Sequence, residues 1–185
     1  MIFTNKTFAG LLLFIGTAWF FMGIIVSEAL YPGYHVTQMI SDLGVGSTAL
    51  IFNSSIIVFG IVLIATAYFL RNEDPDIWFS ALMAVIGIGA IGVGIFPENT
   101  GTPHVISAMI VFICGGVCAI MSFRVFPVPW AWFSGALGII TLVAIILFGA
   151  KCYLGLGAGG MERMIAYPLI LWALGSGAFL MAPAK

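Results

Sequence analysis

Groups able to do acid–base or ionic chemistry are sparse in this sequence, and three stretches expected on one face of the membrane carry the candidates for a site. The first is His35-Val36-Thr37-Gln38-Met39-Ile40-Ser41-Asp42-Leu43-Gly44, the second runs from Phe96 through Glu98 to His104, and the third is Gly159-Gly160-Met161-Glu162-Arg163. Asp42 or Glu98 would act as a base, His104 would pass a proton, and Arg163 would hold a phosphate or an oxyanion. Asp42, Glu98 and His104 are thus the candidate catalytic residues. Gln38, Glu162, Arg163 and Tyr167 are the candidate ligand-binding residues, Tyr167 because it follows Arg163 by four residues and shares its helical face. Helix starts near Pro103 and Met161 would add backbone donors and positive dipole ends to an anion site.

The same residues also fit a network of loop salt bridges that merely pins helix ends. A zinc site would draw on His35, Asp42, Glu98 and His104, all permissible ligands. His35 and Asp42 are seven residues apart, about 10 Å along a helix, too far for an easily shared ion, so neither a metal nor a cofactor is assigned. A Ser41-Asp42-His104 triad is disfavoured because adjacent residues point apart. HExxH and GxSxG do not occur, so the most recognisable hydrolase patterns are missing. Cys114, Cys118 and Cys152 form no CxxC spacing and indicate neither a disulfide framework nor a thiolate metal site.

The elements that must position these groups are membrane helices. Of 185 residues, 62% are hydrophobic and 7% charged, and the mean hydropathy is +1.20, values that exclude a soluble globule. Six Lys and Arg nearly cancel seven Asp and Glu with no basic run, so nucleic acid is not an expected partner. A bilayer core about 30 Å thick takes about 20 apolar residues per helix. Six such stretches lie near 8–30, 48–70, 77–96, 103–123, 129–149 and 162–181. The chain therefore reads as one integral membrane domain, an all-α polytopic transmembrane bundle of six helices. The apolar run after Lys6 is too long for a cleaved signal peptide and reads as a retained first span.

Turn and stop signals separate the spans. Arg71-Asn72-Glu73-Asp74-Pro75-Asp76 breaks the second from the third and Phe126-Pro127-Val128-Pro129 the fourth from the fifth, both short enough for antiparallel hairpins. Thr102-Pro103 is expected to open the fourth helix with a hydroxyl at the N-cap followed by proline. In the first loop, Val36, Met39, Ile40 and Leu43 recur at helical spacing opposite His35, Gln38 and Asp42. That pattern predicts a short amphipathic interfacial helix after the first span, ending at Gly44. Glycines such as Gly87, Gly116, Gly138 and Gly177 predict close helix–helix approach, and Pro168 predicts a kink about one turn below Arg163. Lys6, Arg71, Arg124 and Lys185 outnumber Lys151 and Arg163 across the two faces. Both termini are therefore expected in the cytoplasm, with loops 31–47, 97–102 and 150–161 outside.

Tyr31-Pro32-Gly33-Tyr34, Ile40-Ser41-Asp42-Leu43-Gly44, Phe96-Pro97-Glu98 with His104, and Glu162-Arg163 with Tyr167-Pro168 and Trp172 together resemble domain-of-unknown-function family 998. The resemblance covers almost the whole chain and implies a six-helix prokaryotic membrane protein, multi-pass in the cytoplasmic membrane. A more distant similarity in helix count is to the Frag1 group of eukaryotic membrane proteins, associated with lipid-anchor remodelling. The family implies no established reaction. It makes Asp42, Glu98, His104, Glu162 and Arg163 the first positions to test. Three functional classes stay open: an enzyme acting on a lipid or lipid-linked substrate at the external leaflet, a non-catalytic scaffold or ligand sensor, and a small-solute transporter. Membrane lipids are the expected partners. Transport is the least favoured, since carriers usually place polar groups near the bilayer midplane on interrupted helices, whereas here the charge lies near helix ends.

Overall fold

The computed structural model describes residues 4–71, 73 and 76–182. Six α-helices account for most of them: α1 Asn5–Leu30, α2 Ala49–Leu70, α3 Ile77–Ile95, α4 Thr102–Met121, α5 Trp130–Gly149 and α6 Gly157–Met181. All six are long and apolar enough to cross a membrane, and the described residues form no strand. The protein is a multi-pass membrane protein. Asn72, Asp74 and Pro75 of the expected stop signal, and Lys185, lie outside the described residues.

Each helix packs on its neighbours in sequence, and α6 returns to α1, so the helices close into a ring. Large apolar side chains point outward, among them Leu50, Ile88, Trp132 and Ile146. In water they would drive aggregation; in a bilayer they face solvent of their own polarity. Small hydroxyl side chains turn inward instead: Thr17, Ser27, Thr66, Ser134, Thr141 and Ser176 are all fully buried. Some of them join helices, as where the Thr141 hydroxyl donates to the Ile165 carbonyl at 3.1 Å and the Trp130 indole donates to the Ser176 hydroxyl at 3.3 Å. Between helices the hydrophobic effect is weak in lipid, so contact depends on backbone approach. Gly60 faces Gly87 across α2 and α3, Gly116 faces Gly138 across α4 and α5, and Gly10 faces Gly177 across α1 and α6. A methyl group added at Gly60 or at Gly87 would stand 2.6 Å from the other's carbonyl oxygen.

Three local expectations need correction. The segment 35–44 is not an amphipathic α-helix; a turn covers Val36 and Thr37, and only Ser41–Gly44 coil, as a short 3-10 turn. Its backbone is held by side chains from elsewhere, described below, which take the groups an α-helical ladder would need. The fourth helix begins from Gly101 at φ +71 with no side-chain cap, so Thr102 lies inside it. The sixth begins at Gly157, five residues before the expected 162, because its glycine-rich first turn packs against the first loop. There the Gly159 amide, one of the donors that a helix start leaves unpaired, donates to the Thr37 carbonyl at 3.1 Å. Pro168 is accommodated within α6, which runs unbroken to Met181.

Candidate functional site

The alternating direction of the helices brings loops 31–48, 96–101 and 150–156 to one end of the ring. Glu162 and Arg163 enter that end from the first turns of α6, and successive residues on a helix diverge by about 100°. The two side chains consequently serve different partners.

Arg163 points toward α1 and the first loop and is buried. Its Nη1 donates to the carbonyls of Val36 at 2.8 Å, Gln38 at 2.9 Å and Gly159 at 3.1 Å. Its Nη2 donates to the Glu28 carboxylate at 2.5 Å and to the Tyr34 hydroxyl at 2.8 Å. Tyr167 stands one helical turn further along α6, close enough to Arg163 and Glu28 to feel their charges, and its ring meets Phe21 edge-on at 6.0 Å. Tyr34 in turn donates to the Met39 carbonyl at 2.9 Å. Burial pushes the Tyr34 phenol up to about 12, against the pull of the neighbouring guanidinium, so it stays a neutral donor. A single cation thus gathers the carbonyls of the first loop around itself.

The amides of that loop are taken by carboxylates. The Glu162 carboxylate accepts from the Ile40 amide, and the backbone and hydroxyl of Ser41 also reach it. Asp42 accepts from the Met39 amide at 2.9 Å. With the carbonyls of Val36 and Gln38 held by Arg163 and the amides of Met39 and Ile40 held by acids, no internal helical ladder can form. Gln38 is used locally, its Oε1 accepting from the His35 amide at 2.7 Å, and both side chains are exposed.

Glu98 stands beside Asp42 and Ser41 within hydrogen-bonding reach. Burial, and then the adjacent Asp42 carboxyl, raise the Glu98 pKa above the usual carboxylate range, while the Ser41 hydroxyl opposes the shift. His104 lies one short turn along the chain and is 8% exposed. Its Nδ1 is 2.9 Å from the Phe96 carbonyl, an acceptor, so Nδ1 carries the hydrogen. In the neutral ring this leaves Nε2 with its lone pair, and Nε2 has no hydrogen-bond partner among the described residues.

These groups border two spaces. A polar cleft of about 420 Å³ is lined by Tyr31, Gln38, Asp42, Val45, Glu98 and Asn99. On the other side, a chamber of about 400 Å³ lies between α4, α5 and α6. Its walls are apolar, including Val105, Ala108, Met109, Phe112, Ile145 and Phe148, and its polar end is made by Ser41, Glu98, His104 and Glu162. Glu98 borders both spaces. Smaller crevices of about 60 and 50 Å³ continue past Phe112 and Ala166 into the centre of the ring.

A family model described as "Protein of unknown function (DUF998)" matches residues 14–178. The chain belongs to the DUF998 family. The match spans all of α2 to α5 and most of α1 and α6, and so includes every residue of the loop-end cluster. No curated protein and no solved structure is matched by the chain.

Of the residues read from the DUF998 sequence, Asp42, Glu98, Glu162 and His104 come together around Ser41 and the chamber. Arg163 and Tyr167 lie on the far side of the first loop, in a cluster with Glu28 and Tyr34. Sequence reasoning gave neither Glu28 nor Tyr34 a site role. Glu28 carried a signal, an acid near a span end, which in a membrane calls for a partner. The chamber walls carried none, because apolar residues facing a cavity and apolar residues facing lipid have the same composition. Among the described residues no three of His, Cys, Asp and Glu gather as a metal-binding set.

Proposed function

We propose that the loop-end chamber binds a lipid or lipid-linked ligand, with its chain against the apolar walls and its head at Ser41, Glu98, His104 and Glu162. The observation that carries this reading is the chamber itself: a space of about 400 Å³ with apolar walls and one polar end, within the size range of small-ligand sites. In this reading Glu98 and His104 are the acid–base pair, one carboxyl paired with Asp42 and one imidazole with a free Nε2. Arg163, Tyr167 and Gln38 act as positioning residues. Arg163 spends Nη1 and Nη2 on two loop carbonyls, the Gly159 carbonyl of its own helix, Glu28 and Tyr34, so it shapes the first loop rather than meeting the ligand. The balance of basic residues supports a cytoplasmic location for both termini, which sets the chamber at the external leaflet of the cell membrane.

The test is mass spectrometry of the protein purified with native lipids. Wild type retains an amphiphile, and Ala108→Trp, which fills the chamber, does not. A second reading, a receptor or sensor that holds its ligand unchanged, shares this geometry, and the fate of the lipid separates the two. If the retained lipid is altered by wild type and intact in Glu98→Gln and His104→Gln, the chamber is an acid–base active site. If it is intact in all three, the protein is a receptor. Retention equal in wild type and Ala108→Trp contradicts the chamber.

A further inference from the structure

We infer that the chamber selects an amphiphile whose head is a hydrogen-bond donor without negative charge, a hydroxyl or an amine, over one ending in phosphate or carboxylate. This rests on the lipid-binding reading above and adds the chemistry of the head.

The polar end is built from acceptors. Glu98 and Glu162 both line it, close enough to feel one another's charge. His104 is the independent observation: a side chain more than nine-tenths buried, lining the chamber and its inner crevice, with Nδ1 committed to Phe96 and Nε2 left as an unpartnered acceptor. The nearest cation offers no compensation, because Arg163 commits Nη1 to three carbonyls and Nη2 to Glu28 and Tyr34. A phosphate entering here would meet two carboxyls with a third, Asp42, behind Glu98, and no free guanidinium or ammonium. Once the pH is above the raised Glu98 value these carboxyls are ionised, and like charges brought together in a poorly solvated site are strongly unfavourable. A hydroxyl or an ammonium reverses that balance. Its N–H or O–H fits between Nε2 of His104 and the carboxyl oxygens, and the chamber walls take the alkyl chain.

The experiment measures binding of one chain length with different heads to the full-length protein in lipid nanodiscs at mildly alkaline pH, above the raised Glu98 value, using dodecanol, dodecylamine and dodecyl phosphate. The inference predicts that the alcohol or the amine binds at least about tenfold more tightly than the phosphate. Glu98→Gln and Glu162→Gln, which keep an acceptor oxygen while removing charge, should each narrow that gap. Phosphate binding as tight as either donor-headed probe, or a gap unchanged in both variants, overturns the inference and leaves the chamber reading standing. Failure of every probe to bind, or binding unaffected by both Ala108→Trp and Phe112→Trp, sinks the chamber reading itself.

Discussion

Arg163 and Glu28, 135 residues apart in the chain, meet in a partly buried ion pair at 2.5 Å that ties the start of α6 to the end of α1. The same guanidinium binds the loop that follows Glu28, so the helix ends and the loop form one unit. A buried charge that loses its partner costs roughly 3–5 kcal/mol. Glu28 keeps 27% of its side chain exposed, so Arg163→Ala should cost less than that, about 1–3 kcal/mol of stability in detergent, and should expose residues 35–40 to protease. Lys151→Ala, at an exposed position, should change stability by about 0.5 kcal/mol or less. Equal effects from the two substitutions would contradict the structural role of Arg163.

Gly159 presses its backbone on the Gln38 carbonyl, leaving no room for a side chain. Gly159→Ala must displace either the loop or the first turn of α6, at a cost of about 1–3 kcal/mol. Gly149, with nothing within 4 Å of an added methyl, is the matched control. Melting temperatures of the two variants should diverge, Gly159→Ala falling well below wild type.

How far this unit could be read from sequence depends on what kind of information each part needs. The spans were legible because lipid demands long apolar runs, and runs such as 129–149 are uninterrupted by charge. The meeting of Asp42, Glu98 and Glu162 at one end followed from counting spans and assigning alternate directions. The apolar spacing of Val36, Met39, Ile40 and Leu43 misled, because periodicity reports only local preference. Here Arg163 and Glu162, more than 120 positions away, hold the backbone of residues 36–40. The glycines at 157 and 159 looked like a loop for a related reason: they lie against residues 37 and 38, and contact is not written in composition.

Glu98 links the site to pH. Its pKa is raised in the folded protein, so the folded state holds a proton that the unfolded chain has released. By linkage the associated stabilisation is full below the ordinary carboxylate range and is lost as pH rises through the higher folded value. Glu98→Gln cannot release that proton. Its stability should fall less steeply than that of wild type between weakly acidic and neutral pH, as read from melting temperatures across a pH series. Parallel curves would place the shift elsewhere.

Tyr34 provides a second, alkaline signature. With its phenol pushed up from 10.0 to about 12, its contribution is intact below the lower value and disappears as pH rises through the upper one. Tyr34→Phe removes a donor from Met39 and an acceptor from Arg163, at a cost of about 1–3 kcal/mol for the groups left unpaired. The variant should lack the wild-type loss of stability above pH 10.0, measurable by tryptophan fluorescence during base titration.

The central claim is that the chamber between α4, α5 and α6 takes the chain of an amphiphile. Photolabelling in nanodiscs that contain a long-chain alcohol with a diazirine in its tail, followed by peptide mass spectrometry, addresses it most directly. The account predicts adducts on Phe112, Ile145 or Phe148 in wild type, and their loss in Ala108→Trp while labelling of outward-facing Trp132 and Ile88 persists. Adducts confined to the outward-facing residues, with the chamber walls unlabelled, would contradict it.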